Sequence, residues 1–335
     1  MAWRLSYDLM VNKRLVKREL IVTFDKRLLL LTVKSLFMQY KALYLHLLLL
    51  LVFCINGLGA QEITIPSDTT QLLSVETSDG NIFIGNIRKI EPDYLILMTE
   101  KFGELRINKK EIRKIGKVGK GQLVGGEYWH DNPQSTRYLF GPNGYGLKRG
   151  EGYYQNAWIF FNQVSFGLSN NFTLGVGTIP LFLFSGSPTP FWITPKVSIP
   201  IKKDAVNLGI GGLFAVVLGE EGGTFGVAYG QMTFGPRDRN VNLGLGYGYA
   251  GDSWASTPTV SLSGVYRASK RVALISENYL FDAGDENVGL LSFGCRFIGR
   301  RIAVDAALVF PAGIDEFIGI PWLGLSVPFG NAQVD

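Results

Sequence analysis

The chain has 335 residues, with 41 glycines, 13% aromatic residues and only 18% charged ones, whereas a soluble domain carries about a quarter charged. Residues 1–60 hold nine of the 33 Lys and Arg and three of the 28 acids, so residues 61–335 carry 24 basic against 25 acidic groups. The formal charge of +5 therefore belongs to the leader. This removes the electrostatic case for nucleic-acid binding by the rest of the chain.

In chain order, residues 1–37 are basic and sit ahead of a conventional export signal, as a mis-called start beginning upstream of Met38 would. Residues 38–60 read as a signal peptide. Lys41 gives a short positive region, Leu43 to Ile55 an apolar core, and Ala60 the small residue before cleavage. The core is shorter than the roughly 20 residues of a membrane span. Of the two cysteines, Cys54 lies in this leader and Cys295 does not, so a processed chain has no intramolecular disulfide. After a linker (61–69), residues 70–118 alternate short apolar runs with Gly turns at Gly80, Gly85 and Gly103. That pattern predicts a small five-stranded, strongly bent β-domain.

A second linker (119–135) leads into residues 136–330, and a tail (331–335) follows. In Asn240 to Ala250, Val241, Leu243, Leu245, Tyr247 and Tyr249 share one face, opposed by small residues on the other. Period-two alternation with an aromatic end describes a strand whose apolar face meets lipid. The pattern recurs from Phe172, Ile193, Ile302 and Leu323. Tight polar connectors such as Ser169-Asn170-Asn171 and Lys202-Lys203-Asp204 alternate with longer ones, as at the two ends of a membrane barrel. Eleven runs follow Trp158. A further strand in Arg137 to Leu147 would complete an even twelve, with both termini in the periplasm. The expected fold is all-β: an antiparallel transmembrane β-barrel of about 12 strands preceded by the small β-domain.

Two resemblances rest on these residues. Through Gly80, Gly85, Asp93, Gly103, Ile107 and Ile112, the small domain resembles the Sm-like/SH3-like barrels. The RNA-contacting elements of the Sm family are missing: Tyr94-Leu95-Ile96-Leu97 follows Asp93, and Asn108-Lys109 stands at the later position. The stretch from Arg137 to Asn171 resembles the opening of a family of Gram-negative outer-membrane β-barrel proteins, which implies a barrel and no particular activity. The last strand ends in Phe329, resembling the C-terminal signal read by barrel-assembly machinery, although Gly330 to Asp335 follow the aromatic.

Catalysis finds little support. Only His130 lies outside the leader, in a linker, with no zinc-ligand set or phosphate-binding loop around it. Neither catalytic residues nor a cofactor is expected. Alternation instead turns Lys196, Arg267, Glu277, Arg296 and Asp305 into the lumen, where they must pair or meet water. They would either line a selective pore or brace a closed interior. A cluster including Arg106, Lys109, Lys110, Arg113 and Lys114 reads as a solvated face, with contact to acidic lipid as the functional alternative. Two functions follow: a narrow pore or transporter for small solutes, or a structural barrel whose periplasmic small domain binds another envelope component. A barrel hydrolase is the remaining alternative. The expected partners are outer-membrane lipid, barrel-assembly machinery and that envelope component, and not nucleic acid.

Overall fold

The computed structural model describes residues 65–330 apart from 67–69, 120, 186, 220–222, 283–286 and 313–318. The expected extension (1–37), signal peptide (38–60) and tail (331–335) lie outside the described residues, as does most of the 61–69 linker.

The small domain is a five-stranded antiparallel sheet of β1 (Leu72–Thr77), β2 (Ile82–Ile90), β3 (Tyr94–Thr99), β4 (Gly103–Asn108) and β5 (Ile112–Lys117), in the order β4-β3-β2-β1-β5. Alternation along these strands gives it a core of its own, with Leu73, Val75, Ile87, Leu95, Leu97, Ile107, Ile112 and Ile115 buried together. Gly85 permits the close crossing of β2 and β3, since a Cβ there would stand 2.2 Å from the Met98 carbonyl oxygen. A short hairpin of β6 (Leu123–Val124) and β7 (Glu127–Tyr128) follows.

The wall of the large domain consists of β8 (Glu151–Ala157), β9 (Phe161–Gly167), β10 (Phe172–Thr178), β11 (Thr189–Lys202), β12 (Val206–Leu218), β13 (Thr224–Phe234) and β14 (Arg239–Ala250), then β16 (Thr259–Arg267), β17 (Val272–Asp282), β18 (Asn287–Ile298), β19 (Ala303–Ala312) and β20 (Ile320–Gly330). The two-residue β15 (Ser253–Trp254) decorates the connector after β14. Every neighbouring pair is antiparallel, and β20 returns to β8 from Gly324↔Ala157 to Gly330↔Glu151. Twelve strands thus close on themselves and leave the barrel wall no free edge.

Along β14, Val241, Leu243 and Leu245 are each more than half exposed, while Asn240 and Asn242 are buried. The outer surface is therefore apolar and the lumen polar, the inversion that a lipid solvent demands. Outward aromatics gather at both rims. Phe234, Tyr266 and Phe297 stand at the end with the tight turns, and Phe214, Tyr247 and Tyr249 at the other. Among the described residues no helix is long and apolar enough to cross a membrane. Helix α1 (Pro180–Ser185) occupies the connector between β10 and β11.

The wall begins at Glu151 and not at Arg137. Residues 137–147 supply no wall strand, contrary to the sequence expectation; the twelfth strand is β8, immediately downstream. The residues from Arg137 to Leu147 instead form a turn-rich segment, with one isolated bridge between Arg137 and Pro142, and most of its side chains are buried.

Candidate functional site

The displaced segment is a hairpin lodged in the barrel. Its turn is made by Phe140-Gly141-Pro142-Asn143-Gly144, a composition that favours reversal over extension. The Tyr138 amide bonds the Gly141 carbonyl at 3.0 Å, and the Asn143 amide bonds the Thr136 carbonyl at 3.1 Å. The Asn143 side chain braces the fold from within. It accepts from the Tyr145 amide at 2.9 Å and donates to the Ser135 carbonyl at 2.9 Å. Outside a sheet, such a segment has backbone groups that need other partners, and burial without them costs about 1–3 kcal/mol each.

The wall supplies those partners, largely through the charged residues that alternation had turned inward. Arg296, fully buried on β18, donates to the Gln134 carbonyl at 2.8 Å and the Tyr138 carbonyl at 2.6 Å. Its charge is met by Asp305 on β19, held by two bonds of 2.7 and 2.9 Å. The ammonium of Lys196 on β11 donates to the carbonyls of Tyr145 (2.6 Å), Asn143 (3.2 Å) and Thr136 (3.3 Å). On β17, Glu277 accepts from the Phe140 and Gly141 amides at 2.9 and 2.8 Å, and from the Tyr279 hydroxyl at 2.6 Å. Cations thus take carbonyls and the anion takes amides, so each wall charge reads the polarity of the backbone it faces.

Arg267 differs from the other four. It is buried on β16 but pairs with Asp238 in the β13–β14 turn at 2.7 Å and lies 5.3 Å from the Trp129 ring centroid, at the hairpin's entrance. The structure thus brings Arg296 and Asp305 into one pair and sets Lys196 and Glu277 separately on the hairpin.

Neutral residues, with Arg237 from the β13–β14 turn, complete the grip. Tyr138 donates to Asn240 at 2.6 Å, and Thr233 accepts from the Gly144 amide at 2.7 Å. Ser326 donates to Gln134 at 2.6 Å, and Arg237 reaches the Gly146 carbonyl at 2.8 Å. Sequence reasoning missed these residues, because inward polar positions on a barrel strand look alike whether they face water or a plug. One signal was present: Gly141-Pro142-Asn143-Gly144 is poor material for a paired strand.

The hairpin does not fill the lumen to its far end. Phe140, at its tip, is 39% exposed and lies 6.3 Å from Trp322. From Trp322 an arc of rings runs through Trp158 (4.8 Å), Phe161 (6.3 Å) and Trp192 (6.3 Å) around the end opposite the termini.

At the near end, the small domain and linker touch the tight turns. Arg300 donates to the Gly80 carbonyl, and Lys270 lies 3.9 Å from Glu127. His130 stands edge-on to Tyr128 at 5.4 Å. Burial, reinforced by the positive charges of Arg300 and Lys270, holds its imidazole below the ordinary value.

No protein-family model matches the chain, and no curated protein matches it. Similar solved structures include the KdgM porin (10% identity, 53% of this chain and 99% of that one, TM-score 0.41). The NanC porin is similar at 11% identity (54% and 98%, TM-score 0.37). Outer membrane phospholipase A from Escherichia coli is similar at 10% identity (61% and 95%, TM-score 0.32). The barrel itself is established by its strand pairing, which closes β20 onto β8.

Proposed function

We propose that the protein is an outer-membrane β-barrel, closed at rest by its own hairpin, that anchors the five-stranded domain at the periplasmic face as a docking module for another envelope component. One observation carries this reading: the segment inside the lumen has its backbone groups bonded by buried wall charges, as in a built interior and unlike a water-filled conduit. The outward apolar face with aromatic rims supports the membrane placement, and the position of the first and last wall strands at the tight-turn end favours a periplasmic small domain. The sheet order β4-β3-β2-β1-β5 supports the Sm-like reading of that domain, whose edge strands β4 and β5 offer pairing surfaces to a partner strand.

The test is conductance in planar bilayers by protein shown to be folded through heat-modifiable gel migration. The intact chain is expected to give no steady current, and deletion of residues 132–147 is expected to create one. Steady conductance by the intact chain would overturn the closed-barrel reading. Deletion of residues 70–118 is expected to abolish co-purification of envelope partners without loss of the barrel.

A second reading, a gated narrow pore for small solutes, is favoured by the arc of rings and the exposed Phe140 above the hairpin. It predicts that current appears in the intact chain when force or a partner is applied to the small domain, which joins the hairpin through a short linker.

A further inference from the structure

The outer wall is not smooth. Near the tight-turn end, a groove of about 450 Å³ runs over the strands β14, β16 and β17. Its floor is Gly264 on β16, with Val241 across the ladder on β14 and Ser276 across it on β17, and Leu274 and Phe293 beside them. The glycine is what opens it. A Cβ at Gly264 would stand 3.2 Å from the Asn240 carbonyl oxygen, a tight contact that a slight shift of the strand must relieve, and 3.9 Å from a Val241 methyl, with open space beyond for the rest of a side chain.

The groove is mostly apolar, with Ser276 its polar wall residue on β17, and ends in a cation. Arg239 pairs across the ladder with Tyr266, and its guanidinium lies 5.1 Å from that ring's centroid. Stacking on the phenol holds the charge at the aromatic rim, the depth at which head groups lie. The adjacent carboxylate, Asp238, is already committed to Arg267 at 2.7 Å. Among the described residues no carboxylate forms an ion pair with Arg239.

We propose that this groove holds one acyl chain of an anionic phospholipid whose phosphate sits on Arg239. An apolar trough in the lipid-facing wall, closed by a positive charge at the rim, matches a lipid in both shape and sign, whereas a smooth wall holds no lipid in register. The inference rests on the membrane placement proposed above.

The experiment takes the full chain, folded and inserted into nanodiscs of phosphatidylglycerol and phosphatidylethanolamine in equal parts. It is then released into detergent, and retained lipids are read by native mass spectrometry. One phosphatidylglycerol is expected to stay with the wild type. Retention is expected to fall about fivefold in Arg239→Gln, which removes one interfacial cation. It is expected to fall comparably in Gly264→Val, which fills the trough and keeps the cation. Both variants should retain heat-modifiable migration. Equal retention of the two lipids by inserted wild-type protein, or retention indifferent to both substitutions, would overturn the lipid site. A chain that is soluble without detergent would overturn the membrane placement instead, so the two failures are distinguishable.

Discussion

Arg296 is fully buried, and its guanidinium is balanced by the two oxygens of Asp305 and by carbonyls of the hairpin. Removing only the carboxylate leaves a buried cation without its counter-charge. Asp305→Ala is therefore expected to cost about 3–5 kcal/mol, read as a lower temperature for loss of the compact band on gels. Replacing both partners with Arg296→Met and Asp305→Leu should recover only part of that loss, because the Tyr138 carbonyl then loses its donor. A second expectation concerns His130. Its folded pKa lies below the ordinary 6.5, so the unfolded linker binds more protons between those two values. The docked state is fully stable above about pH 6.5 and weakens as the pH falls towards the folded value. Proteolysis of the linker around His130 should increase across that window, and His130→Asn should flatten the dependence. At this scale, alternation alone was enough to turn Lys196, Glu277, Arg296 and Asp305 inward. Their partners were not legible, since a backbone carbonyl carries no residue-type signature.

At the scale of elements, the first wall strand lies downstream of its expected position, and an unforeseen hairpin stands where it was expected. Arg137 to Leu147 has aromatic and apolar residues enough for a strand, and parity called for one more. Its central Gly-Pro-Asn-Gly should have weighed against extension. The actual strand, β8, reads GYYQNA after Glu151, where Tyr153 faces the lumen and weakens the apolar-out, polar-in contrast that periodicity detects. The β8–β9 connector has its own strain. Trp158 and Ile159 adopt φ of 49° and 68°, in the left-handed region that β-branched residues avoid. Because Ile159 is 80% exposed, packing offers it little compensation. Ile159→Gly is expected to stabilise the folded barrel by up to about 1 kcal/mol, measurable as a rise in the gel-shift midpoint.

For the whole molecule, the sequence carried the architecture well because a barrel repeats its rule. Each strand alternates, each tight turn is polar, and twelve copies average out local ambiguity. The small domain was legible for a different reason, its regularly spaced glycines and short apolar runs. The two parts have separate cores, the sheet around Leu97 and the barrel interior around Tyr138 and Trp322. Leu97→Ala should thus cost the sheet about 2–5 kcal/mol and leave the barrel's heat-modifiable band intact, with limited proteolysis removing the small domain alone.

The seam between β20 and β8 has one more consequence, for how the protein is made. The hairpin lies immediately upstream of β8, the first wall strand, and β20 is the last. With those two strands paired, the wall is a continuous ring around a segment bonded to β13, β11 and β18. A seam that forms last would close around the hairpin, with the buried charges gathering β11, β17 and β18 about it beforehand. Deletion of residues 132–147 is then expected to slow assembly, read as later appearance of the heat-modifiable band.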